Sequence, residues 1–121
     1  MKDEAVLLAW HDVLAKHAST WCALERALSE HDLGPSEFEV LDRIVSLDCR
    51  DFRVQELADS VHLSQSALSR VVARLEKAGL VTRGTCQSDR RGVFVCITEA
   101  GRARHAAALP THRAVLSDVF G

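Results

Sequence analysis

At 121 residues, 47% of them hydrophobic and 26% charged, the chain is long enough for one domain with a real core and too short for two. No apolar run approaches the ~18 residues of a membrane span, and Met1-Lys2-Asp3-Glu4 leads into an amphipathic stretch instead of a signal-peptide core, so a soluble, cytoplasmic protein with no membrane partner is expected. The net charge of −2 conceals an asymmetry: residues 1–63 carry 6 Lys and Arg against 13 Asp and Glu, whereas residues 64–104 carry 8 against 3, the footprint of a segment that meets a polyanion.

From Val6 to Leu28 the apolar residues Val6, Trp10, Val13, Leu14, Trp21, Leu24 and Leu28 recur in steps of three and four, with His17 on the same stripe. This spacing predicts one long amphipathic helix, longer than a small core can cover, so part of the stripe is expected to meet something outside the monomer. Gly34-Pro35-Ser36 breaks the pattern, with Ser36 as the expected N-cap of a second helix that turns Phe38, Leu41, Ile44 and Val45 inward. The polar stretch Asp48–Asp51 ends it, and Phe52-Arg53-Val54 reads as a short extended piece.

The most informative segment is VQELADSVHLSQSALSRVVARLEKAGLV. Gln55–Val61 predicts a two-turn helix, His62-Leu63 a turn, and Ser64 the N-cap of a helix with Leu68, Val71, Val72 and Leu75 inward and Gly79 just past its end. The opposite face carries Ser66, Ser69, Arg70, Ala73 and Lys77 without an acid. Two short helices joined by a tight turn, the second with a polar and basic face, make a helix-turn-helix. Small and amide side chains allow close approach to base edges, and Arg70 and Arg74 can reach bases or phosphates. An ordinary helical hairpin with a solvated face is the competing interpretation.

Leu80–Arg83 and Val93–Ile97 have β character, so a hairpin, or wing, directly follows the recognition helix. Its expected tip is Ser88–Arg91, which sets Cys86 near Val93 and Cys96 near Arg83, about 10 Å apart and beyond disulfide reach. A wing tip carrying Arg90 and Arg91 suits the narrow minor groove, where negative potential attracts guanidinium groups, and Asp89 can hold an arginine in position. Thr98 is placed to cap a further helix, with Pro110 expected to kink or break it before Val115–Phe120.

As an ensemble, QELAD, LSQSALSRVVARLEKAGLV, the DRR of the wing and ITEAGR resemble the MarR-type winged helix-turn-helix transcription regulators. The resemblance implies a mainly α fold with a small β-hairpin, in which a winged helix-turn-helix lobe at residues 34–97 is flanked by dimerisation helices at 1–33 and 98–121. It further implies a homodimeric repressor on a pseudo-palindromic operator in double-stranded DNA. Ser64, Gln65, Ser66, Ser69, Arg70 and Arg74 would address the major groove. Arg91, oriented by Asp89, would enter the minor groove, with Arg90 nearer the phosphates, and Arg83 is a further candidate DNA contact. Family members usually continue into one more helix beyond the position of Gly121, and a dimer through the termini is the expectation here.

The family commonly senses small aromatic or phenolic effectors, metals or oxidants between the dimerisation helices and the DNA-binding lobe. Trp10, His17 and Trp21 share a stripe that suits such a cleft, although core and dimer packing is the favoured explanation for them. Cys22, Cys49, Cys86 and Cys96 form no metal-ligand spacing and are expected as free thiols. His11, His17, His31, His105 and His112 are expected at the surface or partly buried, without metal. No nucleophile with its base, paired carboxylates or phosphate-cradling loop is present in the sequence, so no enzyme and no cofactor are expected. The functional alternative is a winged-helix protein-interaction module that has lost DNA binding.

Overall fold

A computed structural model describes residues 2–46, 52–86 and 89–121, and of residues 52–55 and 85–94 the backbone alone. Helix α1 (Lys2–Leu28) is about 40 Å long at 1.5 Å per residue, and only its C-terminal part meets the core, through Thr20, Leu24 and Leu28. Thr20 is accommodated there because its hydroxyl donates to the Lys16 carbonyl one turn earlier, 2.6 Å away. Toward the N-terminus Val6, Leu7, Leu8, Trp10, Val13 and Leu14 stand 45–69% exposed. A 3-10 turn, Ser29–His31, and a left-handed Asp32 (φ 55°) then redirect the chain.

Helix α2 (Pro35–Ser46) begins one residue before the cap expected at Ser36. Gly34 takes the capping position: its carbonyl accepts from Phe38 N at 3.0 Å, and its own N–H donates to Glu37 Oε2 at 2.6 Å. Glu37 thus supplies the reach-back half of a capping box, and Pro35 fits the first helical position because no partner is needed for its missing N–H. Phe38, Leu41 and Ile44 are buried as the spacing predicts, but Val40 is fully buried and Val45 only partly. The expected end of this helix at Leu47 and the Asp48–Asp51 stretch lie outside the described residues.

Strand β1 (Phe52–Arg53) leads into α3 (Val54–Val61) and α4 (Gln65–Lys77), followed by β2 (Val81–Cys86), β3 (Asp89–Ile97) and α5 (Glu99–Phe120). The sheet is antiparallel in the order β1-β3-β2, with Phe52 opposite Val95 and Val81 opposite Ile97. Leu28, Phe38, Leu41, Leu57, Leu68, Leu75, Leu80 and Val95 bring all these layers into one core. The fold is therefore mainly α with a small β-hairpin, a winged helix-turn-helix between long terminal helices.

Of the kink or break expected at Pro110, the break is absent: helix α5 is continuous from Glu99 to Phe120. The reason is tertiary. His105 and His112, on either side of the proline, are both buried against α2, so packing holds helical geometry where local hydrogen bonding is lost. Their rings stack on Phe38 at centroid separations of 5.3 and 4.3 Å. Burial of these two corrects the expectation of surface or partly buried histidines. Each also has an acid on α2: His105 Nε2 lies 2.7 Å from Asp42 Oδ1, and His112 Nε2 lies 3.0 Å from Glu39 Oε2.

Arg113 completes this seam. Its Nη1 donates to His112 Nδ1 at 2.6 Å and its Nη2 reaches both Asp42 oxygens at 3.3 Å. Arginine only donates, so His112 Nδ1 accepts, the ring hydrogen sits on Nε2, and His112 donates to Glu39. Burial pushes the Asp42 carboxyl up, but the His105 hydrogen bond and the Arg113 charge outweigh it and hold Asp42 below its ordinary value.

Candidate nucleic-acid interface

The turn between α3 and α4 is built from local signals. Leu63 N donates to the Ala58 carbonyl at 3.1 Å, closing α3, and His62 adopts φ 60° to make the reversal. Ser64 then caps α4 as expected, its hydroxyl accepting from Ala67 N at 3.1 Å. At the other end Leu80 N bonds to the Leu75 carbonyl and Gly79 N to that of Glu76, with Gly79 left-handed at φ 78°. This pair of bonds is the Schellman arrangement, which needs a residue tolerant of positive φ at Gly79.

Inward, α4 buries Leu68, Val71, Val72 and Leu75. Outward, Ser64, Gln65, Ser66, Ser69, Arg70, Ala73, Arg74 and Lys77 are all exposed, a continuous surface of donors and small side chains. Among the described residues, no carboxylate pairs with Arg70. Arg74 is tethered, its Nε donating to Glu37 Oε1 at 3.0 Å, which leaves the rest of its guanidinium available. Arg83, on β2, lies 3.5 Å from Glu76 Oε1, a loose and solvent-exposed pair.

The wing differs in register from the expected pairing. Val81, Thr82, Arg83 and Gly84 face Ile97, Cys96, Val95 and Phe94, but Cys86 faces Asp89. Cys96 is thus opposite Thr82, not Arg83, and Cys86 is opposite Asp89, not Val93. The physical reason is a bulge: residues 90–93 of β3 stand across from Thr85 alone, and inserted residues reset strand alternation. Ser88 of the expected tip lies outside the described residues, while Asp89 opens β3 and Arg90 and Arg91 occupy the bulged limb near the distal end of the wing. The exposed Cys22 is a free thiol.

Behind the helix-turn-helix, a cleft of about 500 Å³ opens between α1, α2 and the α3–α4 turn. His17, Trp21, Ser36, Glu39, Val61, His62 and Leu63 line it. His17 and Trp21 stack at 5.5 Å, so two of the three residues expected for a ligand cleft meet there, while Trp10 is two turns further along α1 and outside the lining. Ser36, Glu39 and His62 were not expected from the sequence. Their roles emerge only from how α2 and the turn pack on α1, which no periodicity encodes.

No helix among the described residues is long and apolar enough to cross a membrane. The model of the MarR family matches residues 33–93, from the end of the first helical region into the wing. The regulator MhqR of Bacillus subtilis, described as an HTH-type transcriptional regulator, is 29% identical over 97 residues; these cover 80% of this chain and 66% of that protein, so the chain spans just under two thirds of its relative's length. Among solved structures, Sco3205 of Streptomyces coelicolor, a MarR family transcriptional regulator crystallised in complex with DNA, superposes with a TM-score of 0.85 at 29% identity, covering 94% of this chain and 72% of that one. CouR of Rhodococcus jostii RHA1, crystallised bound to p-coumaroyl-CoA, gives 0.77 at 26% identity, covering 86% and 72%. With more than half its length matched by the family model and its fold shared with solved members, the chain belongs to the MarR family.

Proposed function

We propose that the protein is a cytoplasmic, non-catalytic, sequence-specific DNA-binding transcriptional regulator that acts as a homodimeric repressor. The observation that carries this reading is the outward face of α4, exposed from Ser64 to Lys77 with Glu76, paired to Arg83, as its sole carboxylate, and followed directly by a wing with adjacent arginines. Ser64, Gln65, Ser66, Ser69, Arg70 and Arg74 address base edges and phosphates in the major groove, Arg91 enters the minor groove beside Asp89, and Arg83 and Arg90 meet the backbone. The DNA complex of Sco3205 supports this mode of action.

Residues 34–97 form the DNA-binding lobe in this reading, and residues 1–33 and 98–121 form the dimerisation helices. The exposed apolar stripe of α1 supports the dimer, because a surface of that kind is stabilised by burial against a second copy. Two recognition helices related by a twofold axis then match two half-sites one helical turn apart. A small aromatic effector in the cleft, touching His17, Trp21 and His62, bears on the turn that precedes the α4 N-cap and releases the DNA. The ligand complex of CouR supports a small-molecule effector.

Mobility-shift titration with the DNA upstream of the protein's own gene tests the reading. Binding about a thousandfold tighter than to mixed-sequence duplex at moderate salt is expected. Equal affinity for both duplexes would remove the regulator function and leave a protein-interaction module.

A further inference from the structure

We propose that the cleft selects a flat aromatic cation, such as an aryl amidine or protonated heteroaryl amine, and that Glu39 is the residue that discriminates it from aromatic carboxylates. The inference rests on the reading of this cleft as the effector site and deepens it to a ligand class.

Four features of the lining lead to that chemistry. Trp21, partly buried and stacked on His17, offers a flat apolar wall, and Val61 and Leu63 close the other sides, so an aromatic ring fits. Glu39 is the sole carboxylate among the lining residues, and neither Lys nor Arg accompanies it. Its orientation is fixed from behind: Oε2 accepts from His112 Nε2 at 3.0 Å, and His112 is itself locked by Arg113 on Nδ1. That leaves Oε1 of this lining residue as an acceptor with no hydrogen-bond partner among the described residues.

The two other titratable groups of the cleft, His17 and His62, are both exposed, where solvent screens any charge they carry. The Glu39 side chain is itself 41% exposed, but it is the sole carboxylate of the lining and is held in place by His112, so it sets the sign of the fixed charge at the cleft wall. An aromatic carboxylate placed against Trp21 meets like charge, whereas an amidinium meets a charge-assisted, planar acceptor.

Benzamidinium and benzoate test this directly, because they share ring and shape and differ in the sign of charge. Their binding is followed through the indole N–H signals of the full-length protein in heteronuclear NMR spectra at about pH 8, above the usual histidine range, with Trp10→Phe used to assign Trp21. Benzamidinium is expected to shift the Trp21 signal and bind about tenfold or more tighter than benzoate. Glu39→Gln, whose amide oxygen still accepts from His112, is expected to bring the two within about threefold of each other. Benzoate binding as tightly as benzamidinium, or tighter, overturns the proposed ligand class while leaving the cleft an effector site. A preference unchanged in Glu39→Gln overturns the role of Glu39. If neither compound moves the Trp21 signal at millimolar concentration, the effector-site reading fails and takes the ligand class with it. The wild-type ratio decides the ligand class even if the variant does not fold.

Discussion

The Glu37 carboxylate on α2 joins Arg74 of the recognition helix at 3.0 Å through one oxygen and the backbone N–H of Gly34 at 2.6 Å through the other. One side chain thus caps its own helix and braces α4. The two jobs differ in worth. The Arg74 side chain is 56% exposed, so the ion pair contributes little to stability, whereas the cap satisfies a backbone donor at a helix start. Glu37→Ala is expected to cost about 1 kcal/mol of unfolding free energy and Arg74→Ala under about 0.5 kcal/mol, both measured by urea denaturation. Equal losses in the two variants would place the stabilisation in the ion pair.

Arg91 and Arg70 are expected to fail differently on DNA. Arg91→Ala should weaken binding about tenfold and lower the slope of log affinity against log salt by about one, because a single cation leaves the duplex. Arg70→Ala should cost about 1–3 kcal/mol and relax the preference at one base pair of each half-site. Fluorescence anisotropy on wild-type and single-substituted duplexes, at two or three salt concentrations, separates these patterns. A uniform loss for Arg70→Ala across all duplexes would reassign it to phosphate.

Asp42 makes stability pH-dependent with a definite sign. Its carboxyl is held below its ordinary value in the folded protein, so the stabilisation is complete above that value and is lost as pH falls through the lower, folded value. Asp42→Asn is expected to lose about 1–3 kcal/mol at neutral pH, since His105 and Arg113 lose their ionic partner. The gap between wild type and variant should narrow below about pH 4. Urea midpoints taken from neutral pH down to about pH 2 check this, and a gap that widens toward acid would reverse the assignment.

The proposed dimer makes a claim on α1 that can be tested separately from α5. Light scattering of the wild type should give about twice the 13.3 kDa chain mass, and Trp10→Asp combined with Leu14→Asp should return it to the monomer mass. Both side chains are half exposed in the single chain, so the fold itself should survive, with an unchanged far-UV circular dichroism spectrum. A dimer that persists in the double variant would move the interface to other surfaces.

What could be foreseen from sequence was local. Ser64 and Gly79 mark the ends of α4 because capping depends on residue type at fixed offsets, and the inward stripe of Leu68, Val71, Val72 and Leu75 follows from a 3.6-residue period. Long-range partners escaped. Asp42 and Glu39 sit 63 and 73 residues from the histidines they bind, and nothing in either segment announces the other. That same pairing removes the break expected at Pro110, since a rule about one missing hydrogen bond knows nothing of the packing on both sides. In the wing, the strands were evident from β-branched residues. Their pairing was not, because inserting residues 90–93 opposite Thr85 breaks the alternation from which register is inferred.

Thr98 is the single residue between the last wing strand and α5, and its hydroxyl is committed twice, donating to the Gly79 carbonyl at 2.7 Å and accepting from Gly101 N at 3.0 Å. A side chain on Gly101 would collide with the Leu80 carbonyl, so α5 and the residue that leads into β2 are in direct backbone contact at this point. The junction therefore has no slack. Any tilt of the reading head must appear as a swing of the whole 22-residue α5, amplified with distance from Thr98, as a short crank turns a long arm. In the proposed homodimer, with α5 at the subunit interface, an angular change too small to notice at the groove would become a change in the distance between the two recognition helices.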